Sequence, residues 1–139
     1  MKIVGSNIST CLAFVDCSDS VDTHIGLFNY FSTNYDAERT RFSAYLPTLG
    51  DQPGFEAEPL FTVESDGPTL HLFKASEFLA GRVERPYRGN VMLMAETTGG
   101  RPTDAVLQAY RAFIMPDGRF TSQHAEGPVF EKGASVMAW

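Results

Sequence analysis

Pro116-Asp117-Gly118 stands between two runs of alternating polarity, and no other feature constrains the fold of this chain as much. Proline presets φ for a tight turn, and glycine allows the positive φ that such turns need. The run that follows, Arg119-Phe120-Thr121-Ser122-Gln123-His124, alternates like a returning strand. The run before it, Asp104 to Met115, reads in two ways. Val106, Tyr110 and Phe113 lie at helical spacing behind Thr103 as a cap, whereas Leu107, Ala109, Arg111, Phe113 and Met115 share one face at period two. A hairpin joins the two runs with the least chain, so 104–115 is predicted as a strand.

The same logic extends upstream. Pro59 to Glu64 and Thr69 to Lys74 are rich in β-branched and aromatic residues around Asp66-Gly67-Pro68, which predicts a second hairpin. Asn90 to Glu96 is a further strand, closed by Thr97-Thr98-Gly99-Gly100, and Ile8 to Val15 is another. Residues 128–131 and 134–139 read as short terminal strands. Between residues 20 and 46 the pattern is divided. Val21, Ile25, Phe28 and Phe31 lie at helical spacing, but Gly26 interrupts them and the run from His24 to Phe31 favours strand. Residues 36–46 read either as a helix capped by Asp36 or as a strand from Arg39, and strands are preferred in both places. Thr48 to Glu58 is a loop. The expectation is a single domain, mainly β, folded as an antiparallel barrel or strongly curved sheet with one or two N-terminal helices, the alternative being α+β.

Composition excludes several function classes. With 43% hydrophobic and 20% charged residues, the chain has the make-up of a packed globular fold. Its formal charge is −6, and its densest basic group, Arg82, Arg85 and Arg88, is interrupted by Glu84. Nucleic-acid binding needs a clustered positive field, so nucleic acid is not an expected partner. The longest apolar runs, Cys11–Val15 and Val91–Ala95, are five residues each, against the roughly 20 a membrane helix needs. No membrane partner is expected, and the expected location is cytoplasmic. Cys11 and Cys17 would lie about 20 Å apart along one strand, which favours free buried thiols over a disulfide.

No phosphate-binding glycine loop, nucleophile elbow or zinc-ligand spacing is present, and no cofactor is expected. Gly99-Gly100-Arg101-Pro102 reads as a plain turn, and His24, His71 and His124 are far apart in sequence. One constellation remains. If the strands after residue 69 are sorted at period two, one face collects His71, Phe73, Met92, Met94, Glu96, Arg111, Phe113 and His124, together with Phe120 and Ser122. Apolar walls with sparse polar groups are what a ligand pocket is made of. Arg111 would anchor a carboxylate or enolate, and Glu96 or a histidine would act as acid or base. The other face, with Leu70, Leu72, Val91, Leu93, Val106, Tyr110 and Ile114, reads as core. The competing reading places the mixed face in solvent or at a subunit interface.

From residue 58 onward, the order of short motifs resembles an uncharacterised β-barrel family, domain-of-unknown-function family 3237. The matching pieces are Glu58-Pro59-Leu60-Phe61, Gly81-Arg82, Arg88-Gly89, the strand through Tyr110 into Asp117-Gly118, Gly127, and Phe130-Glu131-Lys132-Gly133 leading to Ala138-Trp139. Residues 1–57 have no counterpart in it, and the stretch the family carries before Pro128 is missing. The resemblance implies an antiparallel barrel able to host a ligand, and no known activity.

Two functions therefore compete. One is a small-molecule-binding barrel of unknown ligand, including a cofactor-independent isomerase or cyclase. The other is a structural or interaction subunit of a homo-oligomer or virion, favoured by an aromatic content of 12%. A nucleic-acid mimic ranks last, because the negative charge is modest and dispersed.

Overall fold

The alternating runs become strands, and the chain connects them differently from the simplest hairpin scheme. The computed structural model describes residues 8–48, 54–99, 107 and 109–124. The strands are β1 (Ile8–Cys17), β2 (Asp22–Phe28), β3 (Arg39–Tyr45), β4 (Phe61–Ser65), β5 (Leu70–Lys74), β6 (Tyr87–Thr98), β7 (Ala109–Ile114) and β8 (Phe120–His124). Two single-turn helices, α1 (Phe31–Asn34) and α2 (Ala75–Phe78), complete the described chain. All pairing is antiparallel, in the order β4-β3-β6-β1-β2-β7-β8, with β5 on the other edge of β2. The sheet curls into a half-barrel.

The curl has a definite place. β1 and β2 share one ladder position, Cys17 opposite Asp22, while β2 pairs fully with β5 and β7. The sheet thus bends into two leaves, β4-β3-β6-β1 and β5-β2-β7-β8. Thr23, fully buried, holds the bend: its hydroxyl accepts from the Asp16 N–H at 2.7 Å and donates to the Asp16 carbonyl at 2.9 Å. Ser18 closes the turn on Val21 at 2.8 Å, and Arg85 donates to the Ser18 carbonyl at 2.9 Å.

The predicted hairpin at Asp117-Gly118 is present. Ile114 faces Phe120, Gly118 adopts φ +88°, and Met115 and Arg119 close the turn at 2.9 Å. The predicted hairpin at Asp66-Gly67-Pro68 is not. β4 pairs with β3 and β5 pairs with β2, so the turn carries the chain from one leaf to the other. A break signal says where a chain turns, not which strand it returns to. Here side chains join the two strands: Phe61 stacks on Phe73 with ring centroids 3.8 Å apart, and Phe78 meets Phe61 edge-on at 5.4 Å. The preferred strand reading holds in the divided region for 22–28 and 39–45, with one helical turn at 31–34 between them.

Between the leaves lies the core. Cys11, Ala13 and Val15 of β1, Phe42 and Ala44 of β3, and Val91, Leu93 and Ala95 of β6 face Ile25 and Leu27 of β2 and Ala109 of β7. A fully buried Leu or Phe in such a core is worth roughly 1.5–3 kcal/mol relative to exposure. The segments around Gly127, Phe130 to Gly133 and Ala138-Trp139 that take part in the family resemblance lie outside the described residues, as do the terminal strands read at 128–139. No helix among the described residues is long and apolar enough to cross a membrane.

Candidate functional site

The eight residues expected to share a pocket do not share a face. His71, Phe73, Arg111 and Phe113 point inward from the second leaf, in line with Leu27, Ile25 and Thr23. Met92, Met94 and Glu96 point the other way. Val91, Leu93 and Ala95 occupy the side of β6 between the leaves, so period two sends their neighbours to the opposite face, in line with Leu12, Thr10 and Ile8, where Met92 and Met94 are themselves buried. The guanidinium and the carboxylate proposed to act together are on opposite sides of a sheet. His124 pairs with Tyr110, not with Arg111, and its side chain lies outside the described residues. The sorting within each strand was sound; the phase between strands is set by register, which the pattern alone does not carry.

The inward polar groups have structural surroundings. Arg111 is buried, donates to the Phe14 carbonyl at 3.4 Å, and sets its guanidinium 5.7 Å from the Phe113 ring centroid. Its charge favours the thiolate of Cys11, but burial outweighs it and pushes that thiol up to about 12. His71 packs its ring 5.8 Å from Phe42, and its Nε2 has no hydrogen-bond partner among the described residues. Ile25 separates Arg111 from Phe73 in the ladder, and His71 sits two positions along β5, so His71 and Arg111 are on the order of 10 Å apart. Cys11 and Cys17 are free and buried.

Glu96 instead borders a charged groove of about 340 Å³, with Glu38, Arg39, Arg41, Glu64 and Thr98. The register lines these up: Arg41 is flanked by Glu64 on β4 and Glu96 on β6, and Arg39 faces Thr98. Glu64 takes the Arg41 Nε at 2.7 Å and lies 4.0 Å from the Arg39 Nε. These are solvent-exposed pairs of the kind that contribute little to stability.

The face expected to be core supplies the most distinctive surface. Val91 and Leu93 are buried as expected, but Leu70, Leu72 and Tyr110 are 53%, 71% and 50% exposed, on the outside of the second leaf with Phe28 at 41%. Register makes them neighbours: Phe28 is opposite Leu70, and Gly26 lies between Leu72 and Tyr110. Gly26 brings no side chain, and the leucines reach in beside it; a methyl group added there would touch Leu72 Cδ2 at 3.5 Å and Leu70 Cδ1 at 3.6 Å. Contiguous exposed apolar side chains on a sheet face mark interaction surfaces more often than chance. The signal in the sequence was a strand apolar on both sides, Leu70-His71-Leu72-Phe73, in which the half-buried residues are His71 and Phe73 and the leucines are exposed.

No group of three or more His, Cys, Asp or Glu side chains suited to a metal ion occurs among the described residues. The chain matches no family model, no curated protein and no solved structure.

Proposed function

We propose that the protein works by association, as an interaction subunit whose working surface is the outer face of β5, β2 and β7. The observation that carries this reading is the row of large apolar side chains, Phe28, Leu70, Leu72 and Tyr110, grouped around Gly26 and 41% to 71% exposed. The interior supports it by contrast: Cys11, Ala13, Ile25, Leu27, Phe42, Val91 and Leu93 pack between the leaves at zero exposure. The test is binding of an apolar fluorescent dye, anilinonaphthalene sulfonate, to the dilute folded protein. Strong binding is expected, reduced several-fold by Leu72→Glu and unchanged by Phe61→Leu inside the core. Native protein that does not bind the dye would remove this reading.

A second reading, binding of a small polar molecule, is supported by the groove beside Glu96. Its volume of about 340 Å³ suits a small ligand, and its mixed guanidinium and carboxylate lining suits a zwitterion such as a free amino acid. Saturation at about 100 times the dissociation constant would stabilise the fold by about 2.7 kcal/mol. The measurement is a thermal-shift series over free amino acids. A rise in melting temperature that Arg39→Ala and Glu96→Gln each abolish is the expected result; no rise with any of them sinks the reading.

A further inference from the structure

We propose that Asp66-Gly67, in the turn between the leaves, is a covalent modification site at which the aspartyl residue converts to isoaspartate and becomes a substrate for an isoaspartyl-specific methyltransferase.

The chain contains two Asp-Gly pairs, Asp66-Gly67 and Asp117-Gly118, and the chemistry open to both is the same. The glycine nitrogen attacks Cγ of the neutral aspartic acid. Its amide hydrogen and the acid hydroxyl leave as water, and a succinimide ring closes. Water that opens the ring at the side-chain carbonyl restores aspartate. Water that opens it at the main-chain carbonyl leaves the chain running through Cγ, which is isoaspartate. One water leaves and one returns, so no oxidant or cofactor is needed. Glycine favours ring closure because no Cβ crowds its nitrogen.

Both aspartates are exposed, so access to water does not separate the two pairs. Hydrogen bonding does. At Asp117 both reacting groups are held. One carboxylate oxygen accepts from the Arg119 backbone N–H at 3.1 Å, and the other accepts from the Arg119 Nε at 2.7 Å. The Gly118 N–H donates to the Met115 carbonyl at 2.9 Å. At the other pair, neither the Asp66 carboxylate nor the Gly67 N–H has a hydrogen-bond partner among the described residues. A Cβ placed on Gly67 would meet nothing within 4 Å, so the space beside its nitrogen is open. The structure thus protects one Asp-Gly pair and leaves the other free to react.

The free pair is also the consequential one. The Gly67 carbonyl accepts from the Asn29 side-chain amide at 3.0 Å and from the Ser65 hydroxyl at 3.2 Å. Isoaspartate adds one methylene to the main chain between Asp66 and Gly67, which carries that carbonyl away from its donors. The modification therefore loosens the crossing that joins β4 to β5.

The test is to age the full chain at neutral pH and physiological temperature. Isoaspartyl methyltransferase with radiolabelled S-adenosylmethionine then marks the product, and peptide mapping places it. Label at Asp66 is expected to exceed label at Asp117 several-fold, and the aged protein should melt below the fresh one. In urea the two pairs should label at similar rates. Gly67→Ala is the deciding variant. Gly67 lies outside the positive-φ region and has room for a methyl group, so the melting temperature of the fresh variant should not fall. Its label at Asp66 should drop several-fold, and the loss of melting temperature on ageing should drop with it. Arg119→Ala should raise the label at Asp117. Folded protein labelled at Asp117 as strongly as at Asp66, or labelled at neither while the urea-unfolded chain is labelled at both, would overturn the proposal. So would unchanged label at Asp66 in Gly67→Ala.

Discussion

Asn29→Ala is expected to lower the unfolding free energy by about 3 kcal/mol, because it leaves buried polar groups without partners at the crossing between the leaves. Asn29 is fully buried at the end of β2. Its side-chain amide donates to the Ser65 hydroxyl at 3.1 Å and to the Gly67 carbonyl at 3.0 Å, and its carbonyl accepts from the buried Thr40 hydroxyl at 3.0 Å. Its backbone N–H donates to the Thr69 carbonyl at 3.0 Å. One side chain thus joins β2, β3 and the turn from β4 to β5. Alanine removes all the side-chain bonds at once. Urea denaturation measures the loss. A double-mutant cycle with Thr40→Val should show coupling, since the two residues share a bond. A loss under about 1 kcal/mol, or strict additivity with Thr40→Val, would mean the hub has little weight.

The second large effect is alkaline. Burial pushes the Cys11 thiol from 9.0 up to about 12, with Arg111 pulling weakly the other way. Burial, with Tyr35 and Cys11 nearby, also pushes the Tyr30 phenol up to about 12. Below pH 9, folded and unfolded chains both keep the thiol proton, so Cys11 adds no pH dependence. Above pH 9, the unfolded chain releases the proton while the folded chain holds it. Stability is therefore lost as pH rises, until the folded thiol itself ionises near pH 12. At pH 11 the Cys11 contribution is a loss of roughly 3 kcal/mol relative to pH 8. Urea midpoints at the two pH values measure it, and Cys11→Ala should recover most of the difference. If Cys11→Ala falls as steeply as the native chain, the buried thiol is not the source.

Parts of this fold are legible in the amino acids, and the limit is physical. Pro116-Asp117-Gly118 has a local mechanism, so both the turn and the strands on either side of it follow from chemistry within ten residues. β1 and β6 announce themselves as apolar runs. Asp66-Gly67-Pro68 is equally clear as a turn, but its strands part company because β4 pairs with β3 and β5 with β2, partners distant in sequence, and Asn29 ties the turn to β2 and β3. The same limit divided the supposed site. Within β6, Met92 and Met94 alternate with Val91 and Leu93 as expected, yet all four are apolar, and only the pairing with β1 and β3 decides which pair faces the core. In β5 the alternation is as expected, but Leu70 and Leu72, read as core, are the side that reaches solvent, while His71 and Phe73 turn toward the interior.

The position of β6 sets the order in which the first leaf can be completed. β6 lies between β1 and β3, and neither of those strands touches the other without it. A chain made only as far as Phe78 holds the pairs β3–β4 and β2–β5, two separate ribbons that still lack Val91, Leu93 and Ala95 of β6 and Ala109 of β7 from their shared core. Only when Tyr87 to Thr98 slots into the middle does the first leaf become continuous. Contacts that span so much of the chain carry a high loop-closure cost, so folding is expected to be slow for a protein of this size and to wait on the arrival of β6.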